Sequence, residues 1–231
     1  MNFDLYGFGP ALAAGTLMTI KLALCALSVG LVLGLLGALG KTSPHKSLQW
    51  LGGTYSTLVR GVPELLWVLL IYFGTVNLMR SIGEFFNIPG LELNAFAAGT
   101  IALGLCFGAY ATEVFRGAIL AIPKGHREAG QALGMSKIRI FWRIILPQMW
   151  RIALPGLGNL FMILMKDTAL VSVIGLEEIM RRSQIAVTAS KEPFTFFLVA
   201  AFIYLGLTVI AMTAMFFLEK RAGRGFKRSA T

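Results

Sequence analysis

Long apolar stretches are the feature that most limits what this chain can fold into. A helix that crosses a bilayer needs about 20 apolar residues, because the hydrocarbon core has no water to satisfy unpaired backbone groups. Five stretches approach or exceed this length, at residues 11–40, 57–79, 95–122, 147–165 and 194–218. With 56% hydrophobic and 14% charged residues among 231, the composition excludes a soluble globular domain. The sequence therefore predicts an all-α membrane protein with one transmembrane domain, at residues 11–218.

Basic residues between the spans predict how the chain is oriented. Lysine and arginine are favoured on the cytosolic side of a membrane protein. They cluster after the first span, in the segment 123–147 and in the tail 219–231, so we expect these pieces in the cytosol and residues 1–10 in the periplasm. Five spans put the two termini on opposite sides. These flanks account for the net charge of +10, so no separate basic domain supports nucleic-acid binding.

Glycines recur at short spacings inside two of the predicted spans. The first span contains Gly30, Gly34 and Gly37, and the third contains Gly99, Gly104 and Gly108. Small residues at such spacings let helices approach closely in lipid. The sequence therefore predicts a packed bundle, although the glycines by themselves identify no transport path.

The segment 123–147 has a pattern that a simple connection between spans does not need. Its fixed points are, in chain order, Glu128, Ala129, Gly130, Gly134, Ile144, Leu146 and Pro147. Residues 124–133 predict a short helix, which Gly134 would end in a left-handed conformation. Ser136 can then cap a second helix with one apolar face, which begins at Ile138. From this pattern alone, an ordinary helix at the membrane interface remains an alternative.

Ionisable residues at membrane depth indicate surrounding protein or water, because a charge in lipid costs at least about 2.5 kcal/mol. Glu113 and Arg116 are spaced i, i+3 near the cytosolic end of the third span and predict a structural ion pair. Glu64 begins the second span, and Asp167 follows Lys166 near the outer end of the fourth. Glu64 and Asp167 are candidates for recognising a cation along a substrate path. The alternative for Asp167 is an interfacial ion pair with Lys166.

The stretch 168–194 fits neither a clean span nor a polar loop. Residues 170–176 are apolar, Gly175 is suited to end a turn, and residues 177–182 are charged. Irregular backbone at membrane depth is tolerated where protein surrounds it or where it lines a cavity. We therefore expect a short re-entrant or periplasm-facing element that packs against the bundle.

Metal and redox chemistry have no support in the sequence. Cys25 and Cys106 lie inside predicted spans, where cysteine is a small packing residue. His45 and His126 lie in predicted cytosolic loops without a cluster of further metal-ligating residues. The sequence has no G-x4-G-K-[ST] phosphate loop. We therefore expect no catalytic residue, metal or cofactor in this chain.

The segment 123–147 resembles the EAA loop, E-A-A-x3-G-x9-I-x-L-P, of the membrane subunits of bacterial ABC importers. The resemblance extends through most of the chain, including Arg-Gly-Val-Pro-Glu-Leu at residues 60–65 and the run at residues 166–177. Together these segments resemble the polar amino acid family of permeases, closest to the Q-type subunit of histidine, lysine/arginine/ornithine and octopine systems. Two positions depart from the pattern: the third EAA position is Gly130, and the acid at Glu64 is not shared by all relatives.

The resemblance implies the other parts of a transport machine. It implies a five-helix type I ABC importer bundle in the bacterial inner membrane, in which the EAA residues couple the permease to an ATPase. The implied partners are a second, M-type permease, two copies of a cytosolic ATPase that binds ATP and Mg, and a periplasmic amino-acid-binding protein. It implies basic substrates, namely arginine, histidine, lysine or ornithine, with glutamine, cystine and opines as alternatives.

Two other classes of membrane protein fit the sequence less well. A secondary transporter usually shows internal inverted repeats, and the two halves of this chain show no convincing match. A channel subunit or a passive scaffold has no use for an ATPase-binding loop.

Overall fold

All regular structure is helical in the residues that the computed structural model describes, 5–86 and 94–223, with the side chains of residues 80 and 82–86 left out. These ranges contain α1 (Gly9–Lys41), α2 (Lys46–Arg60), α3 (Glu64–Phe86), α4 (Ala95–Leu120), α5 (Lys124–Ala132), α6 (Lys137–Ile140), α7 (Leu146–Asp167), α8 (Ile179–Ser190) and α9 (Pro193–Ala222). A π-helical segment, Phe141–Ile145, joins α6 to α7, and a 3-10 helix, Thr168–Ile174, follows α7. Residues 1–4 and 224–231, which belong to the predicted N-terminal segment and tail, lie outside the described residues.

Four helical runs in the described ranges are long and apolar enough to cross a membrane alone: α1, α4, α9 and the run Lys137–Ile174, which contains α7. This last run is longer than the predicted span 147–165 because the π-helical and 3-10 segments continue α7 at both ends. The all-helical membrane fold that the sequence predicts is thereby confirmed, with four apolar helices or five if α2 and α3 together form one span.

The helices α2 and α3 meet at a sharp bend, where the sequence predicted a span at 57–79. The helix axis changes direction by 104° from α2 to α3. Gly61 ends α2, and Pro63 lacks a backbone N–H and disfavours helical geometry at the residue before it. The predicted span is therefore divided, so that residues 57–60 belong to α2 and α3 begins at Glu64.

Glycines bring α1 and α4 into close contact, as their spacing in the sequence predicts. A Cβ at Gly30 would lie 2.5 Å from Cδ1 of Phe107, and one at Gly34 would lie 2.6 Å from Cβ of Ala111. Gly104 of α4 is equally close to α1, since a Cβ there would lie 2.9 Å from Cβ of Val29. In lipid, such close packing supplies much of the attraction between helices.

A buried carboxylate anchors α8 to its neighbours. Glu178 is fully buried and accepts hydrogen bonds from the backbone N–H groups of Met180 and Arg181, at 2.9 and 2.8 Å, and from the Tyr204 hydroxyl of α9, at 2.8 Å. Thr19 of α1 accepts a 3.3 Å hydrogen bond from the first N–H of α8. Burial raises the pKa of Glu178 above its ordinary value, and the hydrogen bonds that the carboxylate accepts offset only part of this rise. The element after the fourth span thus packs against the bundle, while its periplasmic location stays a prediction.

We expect Gly34→Ala to destabilise the protein by roughly 1–3 kcal/mol, because the methyl group would overpack the contact between α1 and α4. It would lie 2.6 Å from Cβ of Ala111 and 3.2 Å from the backbone oxygen of Gly108, so no side-chain rotation relieves it. The matched control is Gly206→Ala in α9, where no atom of the described part of the chain lies within 4 Å of an added Cβ. Thermal unfolding of the purified protein in detergent measures the difference, and equal midpoints for the two variants would contradict the packing argument.

Candidate functional site

The segment 123–147 forms two short helices joined by a tight turn. Gly134, between α5 and α6, has φ +71°, a left-handed conformation that glycine adopts without steric cost. Its N–H donates to the carbonyl of Gln131, and the N–H of Met135 donates to the carbonyl of Gly130, which is the Schellman arrangement at a helix end. Ser136 then caps α6 by accepting a hydrogen bond from the N–H of Arg139. The turn and the cap agree with the sequence prediction.

Gly130 allows the two helices of this segment to pack together. It is the buried residue of α5, and a Cβ there would lie 2.9 Å from Cγ1 of Ile140 and 3.0 Å from Cδ1 of Ile144. A glycine at the third EAA position therefore matches the close approach of these two isoleucines. The other positions in the pattern are more accessible: Glu128, Ala129, Gly134 and Pro147 are exposed, while Ile144 and Leu146 are half-buried.

Residues 124–145, which we call the coupling element after the role that the sequence predicts for them, continue into α7 without an intervening loop. Backbone helix runs from Lys137 through the π-helical segment Phe141–Ile145 to Asp167. On the surface of this element, Leu133, Ile138 and Trp142 are 81%, 73% and 61% exposed. The structure therefore presents large apolar side chains beside a helix that leads directly into the bundle.

Glu113 is the centre of a polar cluster that joins α1, α2 and α4. Its Oε1 accepts hydrogen bonds from Nζ of Lys41 and from Oγ of Ser56, the latter at 3.0 Å. Its Oε2 accepts a 2.9 Å hydrogen bond from Nε of Arg116, so the i, i+3 pair is present. Nη1 of Arg60 lies 3.9 Å from Oε1. The contacts with Lys41 and Ser56 were not foreseen, because they depend on how three helices pack.

Glu64 and Asp167 line the same recess beside the middle of α4. The remaining wall is mostly apolar, with Leu103, Cys106, Phe107 and Tyr110 from α4 and Leu160, Ile163 and Leu164 from α7. Neither acid has an ion-pair partner within 4 Å among the described residues, although the neighbouring charge of Lys166 acts electrostatically on Asp167. Two carboxylates that face one largely apolar recess favour a bound cation.

A wider groove adjoins this recess and shares Glu64 and Tyr110 with it. Arg60, the residues of the bend between α2 and α3, Leu65 and Leu170 complete its lining. The guanidinium carbon of Arg60 lies 5.3 Å from the centre of the Tyr110 ring, within the range of a cation–π contact. Within the described ranges, no cluster of three or more histidine, cysteine or acidic residues forms a metal site.

Residues 30–224 match the family described as binding-protein-dependent transport system inner membrane component. The chain belongs to this family. It is therefore an inner membrane protein, in agreement with its apolar helices.

Three relatives of this inner membrane component are permeases of amino acid or opine transport systems. The histidine/lysine/arginine/ornithine permease HisQ of Escherichia coli K12 is 40% identical, over 97% of this chain and 99% of the relative. The octopine permease OccQ of Rhizobium meliloti is 43% identical, over 99% and 97%. The arginine ABC transporter permease ArtQ of Escherichia coli K12 is 42% identical, over 96% and 98%. The predicted resemblance to Q-type permeases is thereby confirmed.

Solved structures share the fold of this family member. A crystal structure of an amino acid ABC transporter with histidines matches with a TM-score of 0.78 and 32% identity, over 96% of this chain and 100% of the other. An inward-facing structure of the MetNI methionine ABC transporter matches with a TM-score of 0.71 and 15% identity, over 97% and 100%. The second match supports the fold alone.

We expect Glu113→Gln to lower the free energy of unfolding by roughly 1–3 kcal/mol, because the amide leaves the charges of Lys41 and Arg116 without their shared carboxylate. The Glu113 side chain is 23% exposed, so water screens the loss only in part. The matched control is Glu177→Gln, since Glu177 is 52% exposed and has, among the described residues, an ion pair with Arg182 alone. Unfolding of the purified protein by denaturant measures the free energy of unfolding of both variants. An equal decrease in the control would contradict a specific stabilising role of the Glu113 cluster.

Proposed function

We propose that this chain is the membrane permease subunit of an ATP-driven, binding-protein-dependent importer of basic amino acids. The observation that carries the proposal is the recess that Glu64 and Asp167 both line, neither of them in an ion pair within 4 Å among the described residues. Arginine, lysine, ornithine and protonated histidine each carry a cationic side chain that two carboxylates would attract. The substrates named for HisQ and ArtQ support this class, whereas the octopine named for OccQ supports the opine alternative.

The proposed topology has five spans, with the bent pair α2 and α3 contributing the second. The N-terminus would lie in the periplasm, and α5, α6 and the C-terminal end of α9 would lie in the cytosol. The basic residues of the segment 123–147 and of the tail 219–231 support this orientation, because such residues are retained on the cytosolic side.

The proposed assembly contains a second, homologous M-type permease, two ATPase subunits that bind ATP and Mg, and a periplasmic amino-acid-binding protein. The family description, which refers to binding-protein-dependent transport, supports the binding protein and the ATPase. The exposed apolar side chains of Leu133, Ile138 and Trp142, together with the carboxylate of Glu128, form the surface that we assign to the ATPase contact.

In the proposed mechanism, α7 connects ATP hydrolysis to the recess. One end of α7 continues from the coupling element, and the other end carries Asp167. A displacement of α5 and α6 therefore reaches the acid through a single helix. ATP can drive transport only by stabilising one arrangement of the two permease bundles over the other, so this connection has to transmit force without bending.

We expect Asp167→Asn and Glu64→Gln each to lower arginine uptake into proteoliposomes by about tenfold or more, because each removes a charge from the cation site. The control is Glu177→Gln, an exposed acid that does not line the recess. Uptake of arginine, lysine, histidine, ornithine and glutamine is measured in parallel. Transport of glutamine alone would make the substrate class wrong, while the importer class would stand.

We expect Gly134→Val to lower binding-protein-stimulated ATPase activity by about tenfold, because a β-branched residue at φ +71° is strained by roughly 1–3 kcal/mol and distorts the turn between α5 and α6. Gly125→Val is the control, since Gly125 lies in α5 without a positive φ and with nothing within 4 Å of an added Cβ. The assembly of each variant is checked by size exclusion. Full stimulation of an assembled Gly134→Val complex would contradict the proposed role of the turn in coupling.

A further inference from the structure

We infer that Arg60 binds the carboxylate of the transported amino acid, in the groove that adjoins the acidic recess. The inference rests on the proposed function, because it adds a second contact point to the same substrate. Arg60 and Glu64 line this groove together, and Glu64 also lines the recess that holds Asp167. One arginine and two carboxylates thus line two neighbouring spaces that share Glu64 and Tyr110.

The bend between α2 and α3 creates this arrangement. Arg60 is the last residue of α2, and Glu64 is the first residue of α3. In a continuous helix, residues four apart would lie on one face as an i, i+4 pair. The angle of 104° instead opens the groove between them, and residues 61–63 form part of its lining. Within the described ranges Arg60 and Glu64 form no ion pair with each other, so neither charge neutralises the other.

Arg60 is only weakly engaged by the Glu113 cluster. Its Nη1 is 3.9 Å from Oε1 of Glu113, longer than the 2.7–2.9 Å typical of a charge-assisted hydrogen bond. Lys41, Ser56 and Arg116 bind the same carboxylate directly. The Arg60 side chain is 41% exposed, against 20% for Lys41. The Glu113 carboxylate is therefore satisfied without Arg60, whose N–H donors remain for another acceptor.

The ring of Tyr110 lies beside the Arg60 guanidinium and favours one position for it. The ring centre lies 5.3 Å from the guanidinium carbon, and Tyr110 lines both the groove and the recess. A guanidinium held against a ring is already ordered, and its planar fork of N–H donors matches the two oxygens of a carboxylate. Binding a carboxylate there loses less side-chain entropy than binding it with a freely moving arginine.

The charges of this site are the reverse of those of a basic amino acid. At neutral pH the substrate carries one carboxylate, one α-ammonium group and one cationic side chain. The site provides one guanidinium, on Arg60, and two acidic side chains, Glu64 and Asp167. A site with acids alone would attract any diamine. The pairing of Arg60 with the two acids instead selects a dibasic amino acid over a molecule that lacks the carboxylate.

The test compares L-arginine with agmatine, which has the same guanidinium and carbon chain but no carboxylate. Radiolabelled forms of both are bound directly to the permease and ATPase assembly in nanodiscs, without the binding protein, whose own selectivity would hide the difference. In Arg60→Gln, we expect arginine affinity to fall about tenfold to hundredfold, as for a lost hydrogen bond to a charged group, and agmatine affinity to stay unchanged. Arg60→Lys retains the positive charge but lacks the planar fork of N–H donors. We therefore expect its arginine affinity to lie between that of wild type and that of Arg60→Gln.

The matched control is Arg116→Gln, which removes the other guanidinium near Glu113 but lines neither the recess nor the groove. We expect it to leave the ratio of arginine to agmatine affinity unchanged. An equal loss of both ligands in Arg60→Gln would mean that Arg60 acts through the Glu113 cluster, and the inference would be wrong. If Arg60→Gln does not assemble, Arg60→Lys takes its place. A ratio of arginine to agmatine affinity equal to that of wild type in Arg60→Lys would then overturn the inference.

The outcomes separate this inference from the proposed function. Asp167→Asn is expected to weaken arginine and agmatine alike, since both carry the guanidinium. If Asp167→Asn weakens both ligands and Arg60→Gln weakens neither, the acidic recess stands and the carboxylate site is wrong. If only Arg60→Gln has an effect, the carboxylate site stands and the recess is wrong. If wild type binds neither ligand, both ideas are wrong.

Discussion

The close contact between α1 and α4 determines where the other elements lie. Moving an apolar surface from lipid into a helix contact gains little free energy, because lipid tails are as apolar as the side chains. Helices in a membrane therefore associate through close packing and a few polar contacts. Glycines supply the packing along this pair, and added Cβ atoms would overlap the opposite helix. The Glu113 cluster joins α2 to the pair, and Glu178 joins α8 and α9 to α1 through Tyr204 and the neighbouring contact with Thr19.

The packed pair of α1 and α4 provides one side of the candidate site, and α3 and α7 provide the other two sides. The middle of α4 supplies the first of these sides, with Cys106 and Tyr110 among its residues. Glu64 is carried by α3 and Asp167 by α7, which continues from the coupling element. A movement of α7 relative to α4 therefore changes the separation of the two carboxylates and the shape of the recess. The proposed coupling and the proposed binding site are properties of the same helix.

Local features of the fold could be predicted from the sequence, whereas features that depend on packing could not. The predicted starts of the spans at 95–122 and 194–218 lie within one residue of α4 and α9, because apolarity and length are local properties. The left-handed Gly134 and the cap at Ser136 are equally local. The bend at residues 61–63 had a local signal in Pro63, which the apolar pattern outweighed. The burial of Glu178 and the Lys41 contact have no local signal, since their partners are distant in sequence.

The π-helical segment Phe141–Ile145 fixes the direction in which α5 leaves the axis of α7. Each residue of an α-helix advances the chain by about 100° around the helix axis, and a π-helical turn holds roughly one residue more than an α-helical turn. If the same five residues formed a regular α-helix, Ile140 would be rotated by about 100° relative to α7, because the π-helical turn takes up about one extra residue. Gly130, which packs on Ile140 and Ile144, would then meet a different face of the helix. The number of residues between Gly134 and Pro147 is thus an angular constraint, and a loop of another length would point α5 away from the same docking partner.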